Sequence, residues 1–94
     1  MTIKDFVTRD YEILVKEEEL TEVLKILNSE RIGCRRKGLT IGTDDSMENR
    51  WFIYFRASVT EWDKIFHKLA NFDVVRRVHI DYETLELRIK KVEP

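Results

Sequence analysis

The side chains best suited to chemistry in this sequence are a histidine and an aspartate two positions apart. His79 and Asp81 would share one face of a strand, close enough to hydrogen-bond or to hold a metal ion weakly. A structural or catalytic metal usually needs three or four protein ligands, and the sequence offers no third candidate. His67 follows Phe66 in an apolar helical stripe and is expected to be a partly exposed helix residue. We therefore predict no metal, no cofactor and no catalytic residue.

Other features that resemble reactive sites have simpler explanations. The run Glu17–Glu19 precedes a helical pattern, and a helix amino terminus favours negative charge. Cys34 is the single cysteine, so no intrachain disulfide can form. It is expected to be partly buried at a strand start, in a reduced cytoplasmic setting. The glycines fall singly and do not form a phosphate-binding loop: Gly33, Gly38 and Gly42.

Composition limits the kinds of partner. Ninety-four residues, of which 43% are hydrophobic, suit one domain spanning 1–94. Seventeen basic and eighteen acidic residues give a net charge of −1, which argues against non-specific attraction to nucleic acid or to an anionic membrane. No run approaches the roughly 20 apolar residues of a membrane span. We expect a cytoplasmic protein without membrane association.

A repeated pattern indicates how the chain folds. The alternating run Tyr11–Lys16 leads to the helical run Thr21–Leu27, and Trp51–Arg56 leads in the same way to Thr60–Phe66. Each copy joins a strand to a helix, so two βαβ halves sharing one sheet are the simplest architecture. The first helix is expected to end at Gly33.

The remaining elements follow from the apolar periodicity. Thr60 is the expected N-cap of the second helix, with Asp63 three positions on. A polar turn-forming stretch, 43–49, should join the second and third strands. Residues 1–9 are expected to be an amino-terminal arm and 83–94 a carboxy-terminal strand extension. The four main strands are predicted at 10–16, 34–43, 50–58 and 74–82.

Together these elements predict an α+β fold, the ferredoxin-like βαββαβ plait. Its antiparallel sheet carries two helices on one face, and an extra strand is appended at the carboxy terminus. Alternation then assigns side chains to two faces. The residues expected to face the helices are Ile13, Val15, Leu39, Ile41, Trp51, Ile53, Phe55, Val78 and Ile80, with Tyr11 also inward.

The opposite face, which we call the open face, should carry aromatic rings among cations. Aromatic residues and arginines are enriched in protein interfaces, and apolar sheet faces are usually covered. We therefore predict a non-enzymatic binding module that contacts a partner protein or a second copy, as a homodimer, and regulates or inhibits its partner. The expected contact residues are Leu14, Arg36, Phe52, Tyr54, Arg56, Arg77 and His79. The protruding final strand could also add to a neighbour's sheet edge.

Single-stranded RNA or DNA is an alternative partner for the same face. Bases would stack on Phe52 and Tyr54 while nearby cations hold phosphates. The run Arg50–Phe55 resembles the third-strand motif of RNA-recognition-motif domains, whose aromatics fall at its third and fifth positions. It departs from that motif at Trp51, where a glycine belongs.

The chain from Tyr11 to Ile80 also resembles the ACT-type domains, a family of ferredoxin-like modules that often dimerise and bind amino acids to regulate enzymes. The resemblance lies in the run Leu20–Leu27, in Ile32 and in the segment Leu69–Val78. It implies the fold, a tendency to pair and, as a further alternative, the sensing of a small metabolite. The family's ligand-binding loop contains a glycine that is absent after the first strand here, so no ligand residues are carried over.

Overall fold

The structure is an α+β arrangement of an antiparallel sheet and helices. It is a computed structural model that describes residues 3–41 and 49–90, apart from the side chains of residues 4, 5, 36, 40, 41 and 49. The helices are α1 (Ile3–Phe6), α2 (Leu20–Ser29) and α3 (Val59–Leu69), with a 3₁₀ turn at Glu17–Glu19. The strands are β1 (Thr8–Val15), β2 (Cys34–Ile41), β3 (Asn49–Ser58), β4 (Val74–Ile80) and β5 (Glu83–Arg88).

The sheet has the strand order β2-β3-β1-β4-β5, with antiparallel neighbours throughout. This arrangement is compatible with the predicted ferredoxin-like plait. The predicted amino-terminal arm contains α1 and the first residues of β1. Most of the predicted 43–49 loop and the last part of the extension, 91–94, lie outside the described residues.

The core lies between one face of the sheet and the helices. Six side chains at odd positions of β1 and β3 are buried there against α2 and α3, which confirms the predicted parity of both strands: Tyr11, Ile13, Val15, Ile53, Phe55 and Ala57. Tyr11 stacks on Trp62 with ring centroids 4.4 Å apart, and Phe55 completes the aromatic group. The guanidinium of Arg76 lies 4.8 Å from the Tyr11 ring centroid. Burial of these large rings adds to the stability of the core on this side of the sheet.

The sheet is wider than its helical cover. Five strands spaced about 4.8 Å apart exceed two helices packed about 8–10 Å apart. As a result, two residues predicted to face the core are exposed at the margins: Leu39 by 61% and Ile80 by 52%. Their exposure does not contradict the predicted face, since Leu39 pairs with Trp51, which packs against the core. Alternation predicts which face a side chain lies on, but not whether a helix covers it. The side chain of Ile41 lies outside the described part.

The helix ends also differ from prediction. The N-cap of α3 is Ser58, whose hydroxyl accepts from the Glu61 amide while the Glu61 carboxylate accepts from the Ser58 amide, so Thr60 is not the cap. Helix α2 ends before Gly33. Arg31 adopts a left-handed φ of 58°. The amide of Ile32 donates to the carbonyl of Leu27, and the amide of Arg31 donates to the carbonyl of Asn28. These two bonds form the Schellman motif, with arginine at the position where glycine is preferred.

A cluster of charges fixes the start of β4, and we call it the Asp73 cluster. The Asp73 carboxylate lies 3.1 Å from Lys16 Nζ, 3.1 Å from Arg50 Nη2 and 2.7 Å from Arg88 Nη1. Arg50 also donates to the Asp73 carbonyl at 2.8 Å and is only 3% exposed. The cluster therefore ties the ends of β1, β3 and β5 to the chain entering β4.

Candidate functional site on the open face

The open face is organised in rows that cross the sheet. Strand register places Phe52 between Gly38 on β2 and Leu14 on β1, and Leu14 is opposite Val75 on β4. Leu14 and Val75 are completely buried, with Phe52 packed against them. Alternation had placed Leu14 among the exposed contact residues. The prediction that Leu14 is exposed is wrong, because side chains on the neighbouring strands lie close enough to cover it.

The next row is ionic. The register places Tyr54 opposite Glu12, Glu12 opposite Arg77, and Arg77 opposite Glu86. Arg77 lies 3.2 Å from a Glu12 oxygen through Nη1 and 3.1 Å from a Glu86 oxygen through Nη2. The Arg77 and Glu86 side chains are 12% and 3% exposed. Because removal of one partner would leave a buried charge unmatched, this row holds β1, β4 and β5 in one register.

His79 links the ionic row to Thr84 on β5. Its Nε2 lies 3.4 Å from Glu12 Oε2, and its Nδ1 lies 3.1 Å from the hydroxyl of Thr84. Asp81, the predicted companion of His79, occupies the β4–β5 turn with a φ of 55°. Among residues 3–41 and 49–90, no three His, Cys, Asp or Glu side chains lie close enough to hold a metal ion.

Two shallow depressions lie side by side on this face. One has a volume of about 320 Å³ and is lined by Glu12, Phe52, Tyr54 and His79. The other, of about 200 Å³, shares three of these residues: Glu12, Tyr54 and His79. The centre of the open face is therefore a concavity between aromatic rings, a carboxylate and an imidazole.

The structure brings most of the predicted contact residues to this face. Arg56 is exposed beside the depressions and lies 3.1 Å from Asp10. The backbone of Arg36 pairs with Tyr54, while its side chain lies outside the described part. Cys34, predicted to be partly buried, is exposed at the start of β2.

Two acidic residues were missed from the predicted contact set. Glu12 alternates with Tyr11 and Ile13, so its place on the open face was available from the same parity argument. Glu86 was harder to find. The phase of β5 depends on the preceding turn, which lies at Asp81 and Tyr82, within the strand predicted at 74–82.

Comparison with protein-family models, with curated proteins and with solved structures found no match to this chain. The resemblances to ACT-type and RNA-recognition domains therefore stay predictions from pattern. None of the helices in the described part of the chain has the length and apolar character that a membrane span needs.

Proposed function

We propose that this chain is a small non-enzymatic binding module, of ferredoxin-like plait architecture, that contacts a partner protein through its open face. The observation that carries the proposal is the depression of about 320 Å³ between Phe52 and Tyr54. Protein interfaces concentrate their binding energy in such aromatic-lined hollows, which accept a single protruding side chain. The strand order β2-β3-β1-β4 supports the plait, with β5 as the appended strand.

The charges of the open face favour a protein over a nucleic acid. Arg56 and Arg77 would have to hold phosphates, yet Arg56 is paired with Asp10, and Arg77 with Glu12 and Glu86. A phosphate backbone binds through cations that it can neutralise, and carboxylates beside those cations repel it. Single-stranded RNA or DNA therefore has less support than a folded or extended protein segment.

The lining of the depression defines the chemistry of the partner. Phe52 and Tyr54 are half-buried, so each presents part of a ring while the rest packs on the sheet. Rings held in this way lose little entropy on binding. Glu12 lines one wall, but its carboxylate already lies 3.2 Å from Arg77 Nη1, so it offers little to an incoming cation. The preferred occupant is an apolar or aromatic side chain that packs on the two rings.

The test is a quantitative titration with a partner recovered by affinity capture from the native cell and then purified. Tyr54→Ala should weaken the complex by about 10- to 100-fold, the cost of removing a central aromatic contact. Tyr82→Ala is the matched control, because Tyr82 is fully exposed in the β4–β5 turn, away from the depression. Equal losses from both variants, or no loss from Tyr54→Ala, would contradict the proposal. Tight, salt-sensitive binding to an oligonucleotide pool would favour nucleic acid.

A further inference from the structure

We propose that two copies of this chain pair through the outer edge of β5, antiparallel about a two-fold axis, to form one continuous ten-stranded sheet. This contact lies apart from the open-face depression, so the inference does not depend on the proposed function. It rests on the state of the β5 edge, on the apolar side chains beside it and on the symmetry of its sequence.

Strand β5 is the last in the sheet order, so within the described residues no strand lies beyond it. Natural proteins protect such edges with prolines, bulges or charges. The opposite edge, β2, carries such a device, since its register shifts between Cys34 and Arg36. β5 pairs with β4 without interruption from Glu83 to Arg88 and contains no proline. Two of its three charges are held in ion pairs within the chain, Glu86 with Arg77 and Arg88 with Asp73. β5 is therefore the edge better suited to accept another strand.

The largest exposed apolar side chains of the hairpin lie beside this edge. Ile80, Leu85 and Leu87 are 52%, 41% and 52% exposed, and Tyr82 is fully exposed in the turn. Register with β4 places Leu85 opposite Val78, and Leu87 opposite Arg76, on the face that carries the helices. A contiguous apolar strip of this kind on a charged protein usually marks an interaction surface.

Symmetry selects the second copy as the occupant. A two-fold axis normal to a sheet requires facing residues to point to the same side, so their numbers must share parity. The register centred on Glu86 sets Leu85 against Leu87 of the second copy at two equivalent positions, and Thr84 against Arg88. Registers centred on Leu85 or on Leu87 would place only one leucine at the axis: the first sets Glu83 against Leu87, and the second sets Glu86 against Arg88.

Electrostatics permits the pairing. In the register centred on Glu86, two Glu86 residues face each other, and each carboxylate lies 3.1 Å from Arg77 of its own chain. The net charge of −1 per chain produces little repulsion between copies. The leucine pairs extend the apolar strip across the axis, and cross-strand contacts of this type stabilise antiparallel pairs.

Sedimentation equilibrium of the full chain tests the pairing. The expected result is a species of twice the 11.4 kDa chain mass, converted to monomer by Leu87→Lys. Leu39→Lys is the control, since Leu39 is a similarly exposed leucine on the other edge strand, and it should remain dimeric. Circular dichroism of each variant checks that it is folded. A monomeric wild-type chain, or dissociation by Leu39→Lys but not by Leu87→Lys, would overturn the inference.

Cross-linking tests the register independently of the lysine variants. In a Cys34→Ser background, Leu85→Cys and Leu87→Cys chains are mixed under oxidising conditions. Facing residues of an antiparallel pair lie about 4.5–5.5 Å apart, within the span of a disulfide. The mixture should form a disulfide faster than either variant alone. Faster linkage of Leu85→Cys to itself would overturn the proposed register. Loss of the dimer in Tyr54→Ala with retention in Leu87→Lys would overturn the edge contact and assign the interface to the open face.

Discussion

The ring of Phe52 lies over the backbone of Gly38 on the neighbouring strand. The two residues are register partners, and a β-carbon added at Gly38 would lie 2.8 Å from Cε1 and 3.1 Å from Cζ of that ring. Glycine thus lets the aromatic side chain lie flat on β2 while it packs on Leu14 and Val75. One wall of the open-face depression depends on this contact.

Gly38→Ala should displace the Phe52 ring and reshape the depression. Because the clashing atoms are at the end of a side chain that can rotate, we expect the free energy of unfolding to change by less than about 1 kcal/mol. Binding at the open face should weaken by a larger factor than stability changes. NMR shifts of the Phe52 ring protons, together with titration of the partner, measure both effects.

Gly33→Ala is the matched control for Gly38→Ala. No atom lies within 4 Å of a β-carbon built at Gly33, so neither the Phe52 ring nor binding should respond. An unchanged Phe52 environment in Gly38→Ala would show that the ring does not depend on the glycine.

The Asp73 cluster should make stability sensitive to acid. Burial acts to raise the pKa of Asp73, but hydrogen bonds from Lys16 and Arg50, with the charges of Arg50 and Arg88, outweigh it and lower the pKa below 3.8. Because the pKa of Asp73 is lower in the folded chain than in the unfolded chain, its ionised carboxylate stabilises the fold above pH 3.8. This stabilisation is lost as the pH falls through the folded pKa. Thermal unfolding between pH 7 and pH 2 should show this loss.

Asp73→Asn should remove that acid dependence and destabilise the chain at neutral pH. Arg50 is almost completely buried, so loss of its partner should cost about 1–3 kcal/mol. Asp10→Asn is the control, because the Asp10–Arg56 pair is exposed on both sides and should contribute less than about 1 kcal/mol. Denaturant unfolding distinguishes the two, and equal losses would contradict the assigned role of Asp73.

Arg76 should tune the titration of the buried tyrosine beneath it. Burial raises the pKa of Tyr11 above 10.0, while the charges of Arg76 and Arg9 lower it and Asp63 raises it. Arg76→Met should therefore raise this pKa further, as NMR titration of the Tyr11 ring carbons would show. Because the pKa of Tyr11 is higher in the folded chain than in the unfolded chain, its neutral hydroxyl favours the folded state. This contribution is fully present below pH 10.0 and is lost as the pH rises through the folded pKa.

The same substitution should cost about 1 kcal/mol, since the Arg76 guanidinium also lies 5.1 Å from the Trp62 ring. Arg35→Met, which removes an exposed arginine from β2, should change neither the titration nor the stability. A Tyr11 pKa that falls in Arg76→Met would contradict the contact.

Arg31→Gly should stabilise the chain by about 0.5–1 kcal/mol. The left-handed φ of 58° at Arg31 is unfavourable for a residue with a β-carbon, and glycine removes that cost. Arg31→Ala keeps the β-carbon and should give no comparable gain. Chemical denaturation of the three proteins measures the difference, and a gain in Arg31→Ala equal to that in Arg31→Gly would implicate the arginine side chain instead.

The order and type of the main elements followed from sequence because their signals are periodic. Odd positions in β1 and β3 were assigned to the core, and Ile13, Ile53 and Phe55 are completely buried there. The ends of the helices were less predictable, because the position of a cap depends on local hydrogen bonds. Ser58 and Thr60 have the same capping chemistry, and only Ser58 has a glutamate three positions later.

The candidate site was predicted in outline and not in detail. Parity identifies which side chains share a face, and it brought Phe52, Tyr54 and His79 together. Parity does not show which residues of neighbouring strands lie opposite each other. This register places Leu14 between Phe52 and Val75, and Glu12 opposite Arg77. Register between strands more than 60 residues apart is fixed by packing, so the ionic row could not be derived from local pattern.

The central place of β1 affects how the chain folds during its synthesis. Strand β1 is translated before both of its partners, β3 and β4, and β4 ends at Ile80. Until β4 is translated, one edge of β1 has no partner strand, and its apolar end, Ile13–Val15, is available to chaperones. Contacts this distant in sequence slow folding, so the nascent protein should acquire protease resistance late and in a single step.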